Sequence, residues 1–155
     1  MLFSSIKVGL DYGYMVTRKE WPLGTFIFRR PADTLEKQFI MSVKSLPLKF
    51  KEYLSHNVRN DVVFTSYICR FAHGRVENGY QLSAIDIDSN DWILLDENAE
   101  PIKLNYKENN VLTNTQGERI VIERIIDEDR IYYSRGEASG VGSKVDLYLL
   151  GYKPV

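Results

Sequence analysis

The residues best equipped for chemistry lie in one short stretch, Tyr80-Gln-Leu-Ser-Ala-Ile-Asp-Ile-Asp-Ser-Asn-Asp-Trp-Ile-Leu-Leu95, which holds two aromatics and three carboxylates. Asp86, Asp88 and Asp91 are the kind of set that binds a metal or works as an acid/base pair in phosphodiester hydrolysis. Structure alone also accounts for two of them. Ser83 with Asp86 three places on is close to a capping box, a hydroxyl that accepts from a free helix amide and a carboxylate favoured by the positive end of the helix. Asp91 then opens Trp92-Ile-Leu-Leu95, a run of strand character. The spacing predicts a short helix from Ser83, a stop at Ser89-Asn90 and a strand from Trp92.

A second constellation is aromatic and basic. Trp21 sits on a turn between Arg18 and Lys19 on one side and Arg29 and Arg30 on the other. A planar ring among guanidinium groups can hold a nucleobase by stacking and a phosphate by charge-assisted hydrogen bonds. Anchoring the core of a small sheet is the competing role for Trp21 and, more strongly, for Trp92.

Other candidates carry less. His56, His73 and Cys69 have neither the number nor the company that a nucleophilic triad or a zinc site requires. Asp127-Glu-Asp129 reads as an acidic turn between strands before it reads as a metal site. Gly136-Glu-Ala-Ser-Gly-Val-Gly-Ser-Lys144 resembles a phosphate loop in composition. However, Ser143 precedes Lys144 and the following Val-Asp-Leu-Tyr-Leu-Leu150 reads as a strand, whereas the motif needs the reverse order and a helix, so the stretch reads as a flexible β-turn. No catalytic or metal-ligating residue and no cofactor is assigned.

The elements that would position these groups follow from hydrophobic spacing. Phe3, Ile6 and Leu10 lie at helical intervals, with Ser4 or Ser5 as a cap and Gly13 as a stop. Met15–Arg18 and Thr25–Arg30 read as a hairpin across Trp21-Pro-Leu-Gly24, with Phe26 and Phe28 on one face. Residues 31–60 read as a Lys-rich, mostly helical insertion broken at Pro47. A long strand, Asp61–Phe71, turns at His73-Gly74 and returns through Arg75–Tyr80. Asp96-Glu-Asn-Ala-Glu-Pro101 has the composition of a linker. Beyond it Ile102–Tyr106, Glu118–Ile126, Arg130–Ser134 and Lys144–Leu150 read as strands of a small β appendage. The expected class is α+β: an antiparallel sheet with short helices on one face over residues 1–96, and a β domain over 101–155.

Composition narrows the function. With 155 residues, 44% of them hydrophobic and 12% aromatic, the chain can build a full core. No apolar run approaches the roughly eighteen to twenty residues of a membrane span. The single cysteine excludes an internal disulfide and, with no secretory signature at the start of the sequence, points to the cytoplasm. The net charge of -1 conceals an asymmetry: residues 1–75 carry twelve Lys and Arg against six Asp and Glu, residues 76–155 eight against fifteen. A basic front half attracts small anions, but no uninterrupted basic run interleaved with aromatics marks a surface for long nucleic acid.

The order of these residues resembles a known family. Phe3 opening a helix, Arg18-Lys-Glu-Trp21 ending a strand, Gly24-Thr-Phe-Ile-Phe28 on its partner, and Tyr80-x-x-Ser83-x-x-Asp86-x-x-x-x-Asp91-Trp92 are similar, over about residues 3–95, to the Thoeris anti-defence two family of phage proteins. Glu20 and Pro22 stand where that family has Gly and Asn around the tryptophan, Tyr80 stands where it has Trp, and Ser66–Arg70 departs from its Pro-His-Ile-Asp-Met. The resemblance implies a non-enzymatic sponge that sequesters a nucleotide immune signal, glycocyclic ADP-ribose or a cyclic oligonucleotide, in pockets shared between subunits of a homo-oligomer in the host cytoplasm. It implies that Trp21 and Tyr80 stack on bases, that Arg18, Arg29 and Arg70 meet phosphates, that Asp86 and Asp91 orient ribose or base edges, and that Phe26 and Trp92 complete the ligand-binding set. Two other readings stay open: a protein-interaction or virion-associated module whose working part is the β appendage, and a nucleotide phosphodiesterase using the carboxylates.

Overall fold

The computed structural model describes residues 1–155 and is a mixed α+β chain of two five-stranded antiparallel sheets, a two-stranded sheet and five short helices. By its contacts it divides into two compact units, Met1–Arg29 with Ile68–Val155, and Arg30–Tyr67. Both five-stranded sheets belong to the first. The polar connection at residues 96–101, where the sequence predicts a domain boundary, therefore runs within one compact unit, and the inserted unit is slightly wider than the expected 31–60.

The first sheet is built from β1 (Met15–Arg18), β2 (Phe26–Arg30), β5 (Tyr67–Ala72), β6 (Arg75–Asn78) and β7 (Trp92–Leu95), in the order β6-β5-β2-β1-β7. Helix α1 (Phe3–Asp11) lies on it. Ile6 and Leu10, one turn apart, are buried with Val16, Ile27, Trp92 and Leu94, the residues that alternation places on one face of the strands. Gly9 marks the closest approach: a Cβ there would stand 2.5 Å from Leu94 Cδ1. Gly13, at φ 87°, ends the helix in the left-handed conformation, as expected. The expected serine cap is not used. Leu2 occupies the N-cap position, and Asp129 Oδ2, far along the chain, accepts from the Leu2 amide (2.8 Å) and the Ser5 hydroxyl (3.3 Å).

The second sheet runs β11-β10-β9-β8-β12, from Ala138–Ser143, Arg130–Arg135, Arg119–Ile125, Val111–Thr113 and Lys153–Pro154. Its core is Leu112, Ile120, Ile122, Ile131, Leu147 and Tyr152. Three sequence expectations fail in this region. Ile102–Tyr106 forms no strand, the bridge beside it pairing Leu95 with Pro101. The glycine-rich stretch expected as a turn is largely the strand β11. Lys144–Leu149, expected as a strand, is helix α4, capped by the Ser143 hydroxyl, which accepts from the Val145 and Asp146 amides. The alternation of Val145 and Leu147 misleads because α4 is buried on two sides: Val145 belongs to the first core and Leu147 to the second.

The inserted unit holds β3 (Asp33–Leu35), a 3-10 turn (Lys37–Ser42), α2 (Leu48–Asn57) and β4 (Val62–Phe64). Pro47 precedes α2, as its break in the pattern predicts. Its other contents are less helical than expected, and the strand expected over Asp61–Phe71 is two: β4 pairs with β3, while β5 joins the first sheet. Its buried side chains are Ile40 and Leu54. No helix of the chain is long and apolar enough to cross a membrane.

Candidate functional site

At the end of β1, Arg18 stands opposite Trp92 of β7. The guanidinium reaches Asp91 Oδ1 through Nε and Asp86 Oδ1 through Nη1, each at 2.8 Å, with Arg18 and Asp86 side chains only 10% and 8% exposed. Asp86 lies in α3 (Ala84–Asp88), and the expected capping arrangement is complete there: Ser83 Oγ accepts from the Asp86 amide (3.1 Å), and Asp86 Oδ2 accepts from the Ser83 amide (3.2 Å) and hydroxyl (2.7 Å). Asp91 Oδ2 accepts from the Glu20 amide at 3.2 Å. One buried cation thus ties α3, the start of β7 and the β1–β2 turn together.

The electrostatics agree with this division of labour. Burial opposes ionisation of Asp86, and the Ser83 hydroxyl and then Arg18 overcome it, so its pKa lies below the ordinary carboxylate value. Burial likewise opposes ionisation of Asp91, and Arg18 and the Glu20 amide overcome it. The hydrogen bond to Asp91 raises the pKa of Arg18 against the effect of burial. Ionised carboxylates with these commitments hold a structure; a general acid needs a raised pKa and a free edge.

An aromatic series runs outward from this network. Trp92, 1% exposed, donates its indole N–H to the Asp86 carbonyl (2.8 Å) and meets Phe3 at 5.2 Å between ring centroids. Trp21 packs edge-on against Trp92 at 5.3 Å and against Tyr80 at 6.3 Å. The Arg70 guanidinium covers Tyr80 at 4.7 Å, a cation–π contact. Phe26 stacks on Phe71 at 5.0 Å, across β2 and β5. Edge-on and offset packing of this kind holds each ring at a defined angle.

Trp21 is half-buried and borders two cavities. One of about 370 Å³ is walled by Trp21, Phe26, Leu23 and Ile93, with Thr17, Arg18, Lys19 and Glu100 among its polar residues. Alternation turns Thr17, Phe26 and Ile93 away from α1, so this cavity opens on the other face of the sheet. A second, of about 140 Å³, lies between Trp21 and Arg70, Ala72 and His73, and shares Pro22 and Thr25 with the first.

Of the residues singled out in the sequence, Arg18, Trp21, Arg70, Tyr80, Asp86, Asp91 and Trp92 form one connected group, and Phe26 borders the same cavity as Trp21. Arg29 does not join them: it pairs with Asp11 at the end of α1. Trp92 is a core anchor, and Arg18 is bound to carboxylates. His73 and Glu77, which bears on Arg70, were not anticipated, whereas Lys19, named beside Trp21 in the basic constellation, borders the larger cavity. The His73-Gly74 turn was the available signal, since a hairpin tip brings its neighbours beside the strand that carries Arg70. No protein-family model matches the chain, and a search of curated proteins finds no match.

Proposed function

We propose that the protein binds and sequesters a small nucleotide, in the manner implied by the resemblance to phage anti-defence sponges, with the Trp21 cavities as its ligand site. The observation that carries this reading is the position of Trp21: its indole is held at a fixed angle by Trp92 and Tyr80 and borders a cavity of about 370 Å³, within the range of roughly 300–1,000 Å³ of small-molecule sites. Pre-set aromatic walls lower the ordering cost of binding, which is what sequestration requires. The commitment of Asp86 and Asp91 to Arg18 favours binding over hydrolysis by these carboxylates. The host cytoplasm as location, and a homo-oligomer whose subunits jointly close the site, are parts of the same proposal.

The test is to incubate the purified protein with glycocyclic ADP-ribose and cyclic oligonucleotides, remove free ligand, denature by heat and analyse what is released. Recovery of an intact nucleotide is expected, with loss of retention in Trp21→Ala. No retention of any candidate refutes the reading, and metal-dependent conversion replaces it with a phosphodiesterase. A second reading, a protein-interaction module, here places the working part in residues 30–67 rather than in the β appendage, because Phe39, Met41, Phe50, Tyr53 and Val63 are all exposed there. Replacing Phe50 and Tyr53 by Ser separates the two, because nucleotide retention then persists while a partner is lost.

A further inference from the structure

Arg18, Arg29 and Arg70 are not equivalent in the fold. Arg18 is enclosed by two buried carboxylates, and Arg29 is paired with a residue of α1. Arg70, on β5, faces its cross-strand neighbour Glu77 on the edge strand β6 and bonds it through Nη2 alone, at 2.8 Å. Its Nε is buried and has no partner. A buried donor without an acceptor costs about 1–3 kcal/mol and calls for an explanation such as an absent ligand. Nε and Nη2 are the two donors of one edge of a guanidinium, the edge that grips a carboxylate or phosphate with two parallel bonds. Glu77 uses half of it.

The restraint on Arg70 is light. Its side chain is 38% exposed and that of Glu77 53%, and such an exposed pair is worth about 0–1 kcal/mol. The guanidinium carbon lies over the Tyr80 ring at 4.7 Å, a contact that holds the head group in place when its carboxylate leaves. Arg70 and His73 line the 140 Å³ cavity, whose opposite wall is the Trp21 that also borders the larger cavity.

Resting on the proposed nucleotide site, we infer that Arg70 is its anion anchor and that Glu77 is a built-in stand-in for the ligand phosphate, displaced when a phosphate-bearing nucleotide binds with its base at Trp21. Phosphate takes both Nε and Nη2, which satisfies the orphaned donor and converts a one-point contact into a two-point one. Glu77 is therefore a competitor for Arg70: in the free protein it occupies the guanidinium and lowers affinity for the anion.

The experiment compares ADP-ribose with phosphate-free adenosine by calorimetric titration of the wild type, Glu77→Gln, Arg70→Gln and Trp21→Ala, with thermal melts to confirm folding. Glu77→Gln is expected to tighten ADP-ribose binding by up to about fivefold and to leave adenosine binding unchanged. Arg70→Gln is expected to weaken ADP-ribose by roughly 100-fold or more, the loss of two charge-assisted hydrogen bonds, and adenosine by far less. Trp21→Ala weakens both. If Trp21→Ala abolishes binding while the Arg70 and Glu77 variants stay within twofold of wild type for ADP-ribose, the anchor assignment is overturned and the nucleotide site stands. If the wild type binds neither probe and retains none of the cyclic nucleotides, both are overturned. Because Glu77 is an exposed edge-strand residue, its variant folds, and a gain of affinity on losing the carboxylate charge is a result that a purely structural salt bridge does not produce.

Discussion

Replacing Arg18 by Met tests whether this arginine is a structural tie or a ligand group. The substitution keeps the apolar stem and removes the cation, leaving Asp86 and Asp91 with side chains 8% and 17% exposed and no counter-charge. Breaking a buried ion pair from one side costs about 3–5 kcal/mol. Asp86 keeps its bonds from Ser83 and Asp91 its bond from the Glu20 amide, so the lower end of that range, about 3 kcal/mol, is expected. In a chain of this size each kcal/mol moves Tm by about 2–4 °C, which gives a fall of roughly 6–12 °C. Urea unfolding followed by tryptophan fluorescence reads the change directly, because Trp92 donates to the Asp86 carbonyl and Trp21 packs on Trp92. The double variant Arg18→Met/Asp91→Leu also removes a stranded carboxylate and is expected to recover about 1 kcal/mol or more, since apolar replacement of a whole buried pair is often neutral. An Arg18→Met protein within about 0.5 kcal/mol of wild type that has lost nucleotide retention would refute the reasoning, because a structural tie of this kind must report on folding first.

Three further outcomes follow from the same structure. Gly9→Ala removes a residue that disfavours helix by about 0.8–1 kcal/mol, yet its Cβ would lie 2.5 Å from the buried Leu94 Cδ1; overpacking of about 1–3 kcal/mol outweighs the gain, so denaturation should show a net loss that Leu94→Val partly reverses. Asp129→Ala leaves the Leu2 amide and Ser5 hydroxyl without their acceptor and should cost about 0.5–2 kcal/mol, as loss of a helix cap does, with faster hydrogen exchange in the first turn of α1 and a smaller effect for Asp129→Asn. The carboxyl pKa values of Asp86 and Asp91 are lowered in the folded state, so their contribution is fully present above the unfolded carboxyl value of about 3.9 and is lost as pH falls through the folded values; the urea midpoint should drop below about pH 4, and less steeply in Asp91→Asn.

Local chemistry was legible in the sequence wherever a short-range signal stood alone. Ser83 with Asp86 gave the start of α3, Gly13 the end of α1, and Phe3, Ile6 and Leu10 the face that α1 buries. Ser143 with Asp146 has the same spacing as Ser83 with Asp86 and caps α4, but the alternation of Val145 and Leu147 points to a strand. Period-two burial assumes one buried face, and a helix between two cores violates that assumption. The cap of α1 was illegible for a different reason: Asp129 lies more than a hundred residues from Leu2 in sequence, and no local pattern encodes such a pairing.

The candidate site shows the same limit in electrostatic form. Sequence supplies Arg18, Arg29 and Arg70 as equal charges near aromatic residues, and the resemblance gives all three to phosphate. What distinguishes them is which carboxylate each one faces across the fold, and that depends on β1 pairing with β7 and β5 with β6. Arg18, beside two carboxylates that α3 and β7 hold in place, is spent on structure; Arg70, beside an exposed edge-strand glutamate, keeps half of its fork unused. The same asymmetry governs truncation. Helix α4 contributes Val145 to the core beneath Trp92 and Leu94, so removing residues 101–155 exposes the packing that holds Trp21 at its angle. Loss of activity in such a deletion would then report the collapse of the first core, and the contribution of the C-terminal sheet to binding has to be read from point substitutions on its own surface.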